Sequence, residues 1–312
     1  MVNAFQRKLP DGALEYLGTM PSWWQDVLAY RYKDRQGASQ PLLIALRDGY
    51  LNVYAEGQSV LKVGFDTRRH GNVRVRCRIH HKYVPESNSR SVYLDFDGLR
   101  ITQGRGRDVI QTYAGPETLH GWVEAARTHS GDEKKGVAII ANRHLNVIDV
   151  EMALPADEPV KPDGRKVANR MDIVALEPEG EGARIVFYEA KLFSNPQLRA
   201  EDLSPPVLRQ LGTYRDYVSQ PVRHQQILAA YRNACAVLDA ISRMRGTEPS
   251  PLVRRVAEGG PISLDVEPRL IIFGKQEQRI RSQAAWDKHK QILHENCIII
   301  HSENPEEIRL GL

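Results

Sequence analysis

The chain has 312 residues, enough for one large domain or two modest ones. Its hydrophobic content of 41% and charged content of 26% are those of an ordinary soluble globular protein. A net charge of +4 and a pI near 8.9 permit a polyanionic partner without requiring one.

Cys77, Cys235 and Cys297 are far apart and form no C-x-x-C spacing. That argues against a disulfide scaffold or a cysteine zinc site and fits a reducing compartment, so a cytoplasmic location is expected. Residues 1–8 lack the apolar core of a signal peptide, and no apolar run is long enough to span a bilayer. No membrane partner is expected.

The first element is a helix over 21–35, opening Pro21-Ser22-Trp23-Trp24 and ending near Gly37. The period then becomes 2. Strands over 42–46, 50–55 and 59–65 are joined by turns at Asp48-Gly49 and Glu56-Gly57, which predicts an antiparallel meander. Trp23 and Trp24 are expected to pack on its apolar face. The stretch over 68–82 reads as a strand with Arg74, Arg76, Arg78, His80 and Lys82 on one face and Val73, Val75, Cys77 and Ile79 on the other. One reading is an edge strand kept soluble by charge. The other is a rail that contacts phosphates, favoured because five basic residues have no acid among them. His80 and His81 cannot share a metal on a strand. A hairpin over 92–102 follows, then the basic loop Gly104-Arg105-Gly106-Arg107, whose Arg105 and Arg107 join the expected nucleic-acid-binding set.

Around residue 113 the character shifts, so the expected division is an N-terminal β-rich domain over 1–112 and a second domain over 113–312. In the second, a helix over 116–129 is followed by strands over 137–141 and 145–154 and a polar loop over 155–166. A strand over 168–176 and a turn over 177–182 come next. Helices over 205–218 and 222–245, a strand over 269–273, a helix over 283–294 and a strand over 297–301 complete it. The last three imply a parallel, right-handed crossover. The expected class is α/β with a mixed sheet flanked by helices, preceded by an α+β front end.

The chemistry concentrates in Ile185-Val186-Phe187-Tyr188-Glu189-Ala190-Lys191-Leu192-Phe193, bounded by Gly182 and Asn195-Pro196. It reads as a central strand buried on both faces. Glu189 and Lys191 point the same way, with Ile185, Phe187 and Phe193. Burying ions costs several kcal/mol each unless they are paired or bind a metal. By composition an E-x-K triplet arises about once per 300 residues. The chance copy, Glu133-Lys134-Lys135, sits in a hydrophilic run expected to be a solvated turn. A structural ion pair is the other reading of Glu189 and Lys191. Asp172 interrupts the preceding apolar strand, and a short turn makes the two strands antiparallel neighbours. Their carboxylates would repel each other unless a divalent cation sat between them. A lysine beside them can stabilise an anionic transition state or orient a water.

Asp172 followed by Glu189-Ala190-Lys191 in consecutive apolar strands resembles the PD-(D/E)xK nuclease superfamily. Gln210 and Tyr214, four apart on the next helix, resemble the Q-x-x-x-Y motif of its RecB-type branch. Val150-Glu151-Met152 matches the glutamate-bearing strand of that branch, and His120 its metal-binding histidine, with Glu124 as a rival. The branch's four-cysteine iron–sulfur clamp is absent. The resemblance covers roughly residues 115–300; residues 1–112 carry none.

The resemblance implies a restriction-endonuclease-like core. It implies Mg²⁺ or Mn²⁺ held by Asp172 and Glu189 with His120, and a supporting role for Glu151 or Glu124. Lys191 would position the attacking water, and Gln210 and Tyr214 would orient Lys191 or the nucleic-acid backbone. The expected activity is phosphodiester hydrolysis leaving a 5′-phosphate. The expected partner is nucleic acid, DNA ahead of RNA. Domain layout suggests a setting in phage defence or DNA repair. Two alternatives stand: a nuclease fold that binds nucleic acid without cutting, and a small-molecule enzyme in which Glu189 and Lys191 are only an ion pair. Endo- or exonuclease action, a homo-oligomer, and a helicase or ATPase partner stay open.

Overall fold

The computed structural model describes residues 4–67, 73–85, 87, 91–103, 108–154, 170–199, 204–275 and 283–311. Eight helices and three sheets occur among them. The chain forms two compact units. The first comprises Arg7–Ala138 and Ala236–Pro249; the second comprises Met1–Gln6, Ile139–Cys235 and Ser250–Leu312. The division thus falls after Ala138 rather than at residue 112, and the helix over 116–127 belongs to the first unit.

The chain opens with α1 (Ala13–Gly18) and α2 (Ser22–Ala29), then β1 (Arg31–Lys33) and β2 (Ser39–Pro41). The helix expected over 21–35 ends early. Tyr30 is extended, and Arg31–Lys33 alternate exposed, buried, exposed while pairing antiparallel with Ser39–Pro41. Period 2 at Tyr32 overrides helix continuation. Next come β3 (Leu43–Leu46), β4 (Tyr50–Ala55), β5 (Gln58–Thr67), β6 (Val73–His80), β7 (Tyr93–Phe96), β8 (Arg100–Gln103) and β9 (Asp108–Thr112). These seven form one sheet in chain order, every neighbour antiparallel. The expected meander is therefore present and longer than read. Trp23 and Trp24 are buried, with Trp23 meeting Phe96 edge-on at 6.0 Å between ring centres.

Two helices follow, α3 (Pro116–Arg127) and α4 (Asp132–Arg143). Glu133-Lys134-Lys135 lies in the first turns of α4 rather than in a solvated turn, and 137–141 is helix rather than strand. Asp132 and Glu133 suit a helix N-terminus, where negative charge complements the unpaired N–H groups.

The second unit is built on β10 (Val147–Ala153), β11 (Arg170–Glu179) and β12 (Gly182–Leu192), followed by α5 (Pro206–Val218), α6 (Pro221–Met244) and α7 (Pro251–Ala257). Then come β13 (Ile262–Leu264), β14 (Arg269–Phe273), α8 (Gln283–Asn296) and β15 (Ile299–Ser302). The sheet order is β10-β11-β12-β14-β15, with β13 also on β12. The first three strands are antiparallel and the last three parallel, as the order of elements implied. The overall class is mixed α and β. The expected polar loop over 155–166 lies outside the described residues.

β12 is the central strand and is buried nearly throughout. Its first residue, Gly182, has no room for a side chain, since a Cβ there would meet the Pro261 carbonyl oxygen at 2.5 Å. No helix among the described residues is long and apolar enough to cross a membrane.

Candidate active site and basic sheet face

Alternation along β12 puts Glu189 and Lys191 on one face, only 2% and 6% exposed. Lys191 Nζ donates to Glu189 Oε1. Gln210 Nε2 of α5 donates to the same oxygen at 2.8 Å. Gln210 also donates to the Tyr214 hydroxyl, which in turn donates to the Arg170 carbonyl at the start of β11. The i, i+4 pair thus ties α5 to both strands and fixes the direction of the Gln210 amide. Glu189 Oε2 is buried and has no hydrogen-bond partner among the described residues.

The β11–β12 register pairs Ile173 with Tyr188, so the next step brings Asp172 level with Glu189. Asp172 Oδ2 accepts the Ala190 N–H at 2.8 Å. Burial, then the neighbouring Glu189, raises the Asp172 carboxyl well above the usual range, with Lys191 pulling the other way. Burial also raises Glu189, opposed by Lys191 and by its hydrogen bonds. Without a cation, this pair favours holding a proton over two negative charges.

Glu151 lies between the Val150–Ile173 and Met152–Met171 pairs, level with Asp172 on the third strand. Its φ of 53° is left-handed, a conformation costing an L-residue about 1–2 kcal/mol. Its Oε2 lies 3.5 Å from Arg170 Nη1. The other two expected metal-site residues belong to the first unit. There His120 Nδ1 and the Tyr30 hydroxyl are 2.8 Å apart, and Glu124 accepts from Arg127 at 2.6 Å. Among the described residues no group of three or more His, Cys, Asp or Glu side chains could hold a metal. The donors that fit a cation are thus two: the Asp172 carboxylate and the unpartnered Glu189 Oε2. Both are hard oxygens, which suits Mg²⁺, a cation that keeps several waters and takes only one or two carboxylates.

The opposite face of the same sheet holds a second buried charge cluster that the sequence reading missed. Glu177, taken as a turn residue, lies within β11 and is 2% exposed. It accepts two bonds from Arg269, at 2.6 and 3.0 Å, one from the Tyr188 hydroxyl at 2.6 Å, and one from Arg184 at 3.3 Å. Both carboxylate oxygens are satisfied.

In the first unit β6 is the fourth of seven strands, so the edge-strand reading of its arginines fails. Arg74, Arg76 and Arg78 are exposed while Val75, Cys77 and Ile79 are buried, as alternation requires. Lys82 is not on that face; it lies in a 3-10 turn, its ammonium 5.1 Å from the Tyr83 ring centre. Arg105 and Arg107 lie outside the described residues. Neighbouring strands supply acids that the strand's own sequence could not show. Arg76 reaches Asp95 at 3.5 Å and Asp66 at 3.9 Å; Asp97 lies 3.5 Å from Arg100 and 3.9 Å from Arg74. Together these side chains line a depression of 550 Å³. Exposed pairs of this kind contribute about 0–1 kcal/mol each, so a phosphate can take an aspartate's place.

Comparison of the chain with protein-family models, with curated proteins and with solved structures returned no match.

Two outcomes are expected. Asp172→Asn removes a buried charge beside Glu189 yet keeps an acceptor for the Ala190 N–H. It should stabilise the metal-free protein by on the order of 1–2 kcal/mol, raising Tm, and abolish any further rise with Mn²⁺. A lower Tm for the variant would contradict the repulsion. Replacing Arg74, Arg76 and Arg78 together by Gln should weaken nucleic-acid binding and flatten its salt dependence by roughly one unit of slope per lost contact. An unchanged slope in a soluble, folded triple variant would remove the rail.

Proposed function

We propose that the chain is a Mg²⁺- or Mn²⁺-dependent nuclease of the PD-(D/E)xK type, with DNA as its substrate and the second unit as its restriction-endonuclease-like core. The observation that carries this reading is the contrast between the two buried glutamates of one sheet. Glu177 is closed on both oxygens by an arginine fork and a tyrosine, which is what a structural ion pair requires. Glu189 is left open at Oε2, next to a second carboxylate that burial and repulsion hold high in pKa. An unmet buried acceptor costs about 1–3 kcal/mol, a cost that a cation at that oxygen would offset.

In this reading Asp172 and Glu189 would hold the cation, which would supply Lewis-acid chemistry to the reaction. Lys191, fixed by Glu189, carries the positive charge that complements the developing phosphorane and orients the attacking water. Gln210 and Tyr214 hold the Glu189–Lys191 geometry from α5. Hydrolysis then leaves a 5′-phosphate. A nuclease unit in one chain with a unit that carries a basic sheet face fits a cytoplasmic setting in phage defence or DNA repair.

The test is incubation with linear and circular DNA, single- and double-stranded, in Mg²⁺, Mn²⁺ or chelator. Cleavage is expected with either metal and not in chelator. Lys191→Ala should lower the rate by a factor of about 10²–10³. A folded Lys191→Ala protein that cuts as fast as the wild type would refute the assignment.

A further inference from the structure

The central strand ends at Leu192, and from Phe193 the chain turns back through Asn195 to Arg199. There Arg199 Nη1 donates to the carbonyls of Phe193 and Asn195 at 2.7 and 3.2 Å. Its guanidinium carbon lies 5.0 Å from the Phe193 ring centre and 4.8 Å from that of Trp286 on α8. The two rings meet edge to face at 4.5 Å, and the His301 ring stacks on Phe193 at 6.0 Å. Phe193 and Trp286 are buried, Arg199 is half-buried and His301 is exposed.

This guanidinium is held in place by carbonyls and rings. Among the described residues no carboxylate pairs with Arg199, and burial is the influence acting on its charge. Two carbonyls and two ring faces offset part of the desolvation. The bonds to the carbonyls use Nη1 alone, so the Nε–Nη2 edge, the fork that grips oxyanions two-handed, is not engaged by them.

The location gives this cation a use. Lys191 pairs with Ile272, and Ile272 with His301, so Lys191 and His301 share one face of the sheet two strands apart. Strand spacing makes that about 10 Å. Phe193, two residues past Lys191, is on the same face. Burial lowers the His301 pKa, with Lys290 and His294 of α8 adding to that and Glu303 opposing it, so the ring is suited to act as a neutral N–H donor.

We infer that Arg199 and His301 bind the phosphodiester adjacent to the one at Lys191, so that a nucleic-acid strand runs across the sheet from β12 toward β15. The inference rests on the proposed nuclease reading for its substrate, but its binding test does not need cleavage. Arg199 supplies a bidentate charged contact and His301 a ring N–H donor. The alternative is that Arg199 only staples the 193–199 loop by its carbonyl bonds.

Fluorescence anisotropy of a labelled single-stranded DNA oligonucleotide, measured in chelator at several salt concentrations, separates the two. Arg199→Gln should raise Kd at least about fivefold and reduce the salt slope by roughly one contact. Arg199→Lys should restore most of the slope. His301→Gln, at an exposed site that folding tolerates, should raise Kd with the slope unchanged. Inorganic phosphate at millimolar concentration should not compete if a strand, rather than free phosphate, is the ligand. Arg199→Gln and His301→Gln proteins that bind as the wild type does, with the same slope, would overturn the inference even if the wild type cuts DNA. Weakened binding with a reduced slope, in a wild type that cuts no DNA with any metal, would keep the phosphate site and remove the nuclease reading.

Discussion

The interaction on which the second unit depends is the ion pair between Glu189 and Lys191 inside its central strand. Two charges there are removed from water, and their attraction repays that only if the remaining donors and acceptors are satisfied. On the lysine side the ammonium donates to Glu189. On the glutamate side one oxygen is satisfied, where Lys191 and Gln210 converge, and the other is not. The neighbouring Asp172 worsens the balance. Clusters of this kind, costly in isolation, shift carboxyl pKa values away from solution values, as active sites and structural ion-pair networks both do; the proposed reading takes this one as an active site that a cation would complete.

The rest of the sheet serves that cluster. The antiparallel β10–β11–β12 ladder sets Glu151, Asp172 and Glu189 level with one another, so three carboxylate-bearing residues come from three strands in one row. The parallel half, β12–β14–β15, brings His301 to the same row as Lys191. α5 closes the cluster from above through Gln210 and Tyr214. The Glu177–Arg269 cluster lies on the other face, so acids and bases inside one sheet are kept from pairing wrongly.

Much of the second unit could be read from sequence because β-strand alternation carries face information directly. Glu189, Lys191 and Asp172 stood out as charges within apolar strands, and Gln210 with Tyr214 stood out by helical spacing. What stayed hidden has physical reasons. The run over 137–141 is buried on all sides, so periodicity could not separate helix from strand there. Glu177 looked like a turn residue because β11 runs on to Glu179, and its partner Arg269 is far away in sequence. The acids opposite Arg74 and Arg76 come from neighbouring strands, so the charge of the β6 face could not be read from β6 alone. Arg199 follows an ordinary turn, and only the packing of Trp286 shows that its charge is held in place.

The central claim is that Asp172 and Glu189 form a seat for one divalent cation, and direct Mn²⁺ binding tests it most simply. Free Mn²⁺ gives a six-line electron paramagnetic resonance signal that is lost on binding. The account predicts that the wild-type protein, titrated at neutral pH without nucleic acid, removes that signal at one site, and that the isosteric Glu189→Gln variant, with its fold intact, does not. A wild type that leaves the Mn²⁺ signal unchanged up to millimolar concentration, or a Glu189→Gln variant that binds Mn²⁺ equally well, would contradict it.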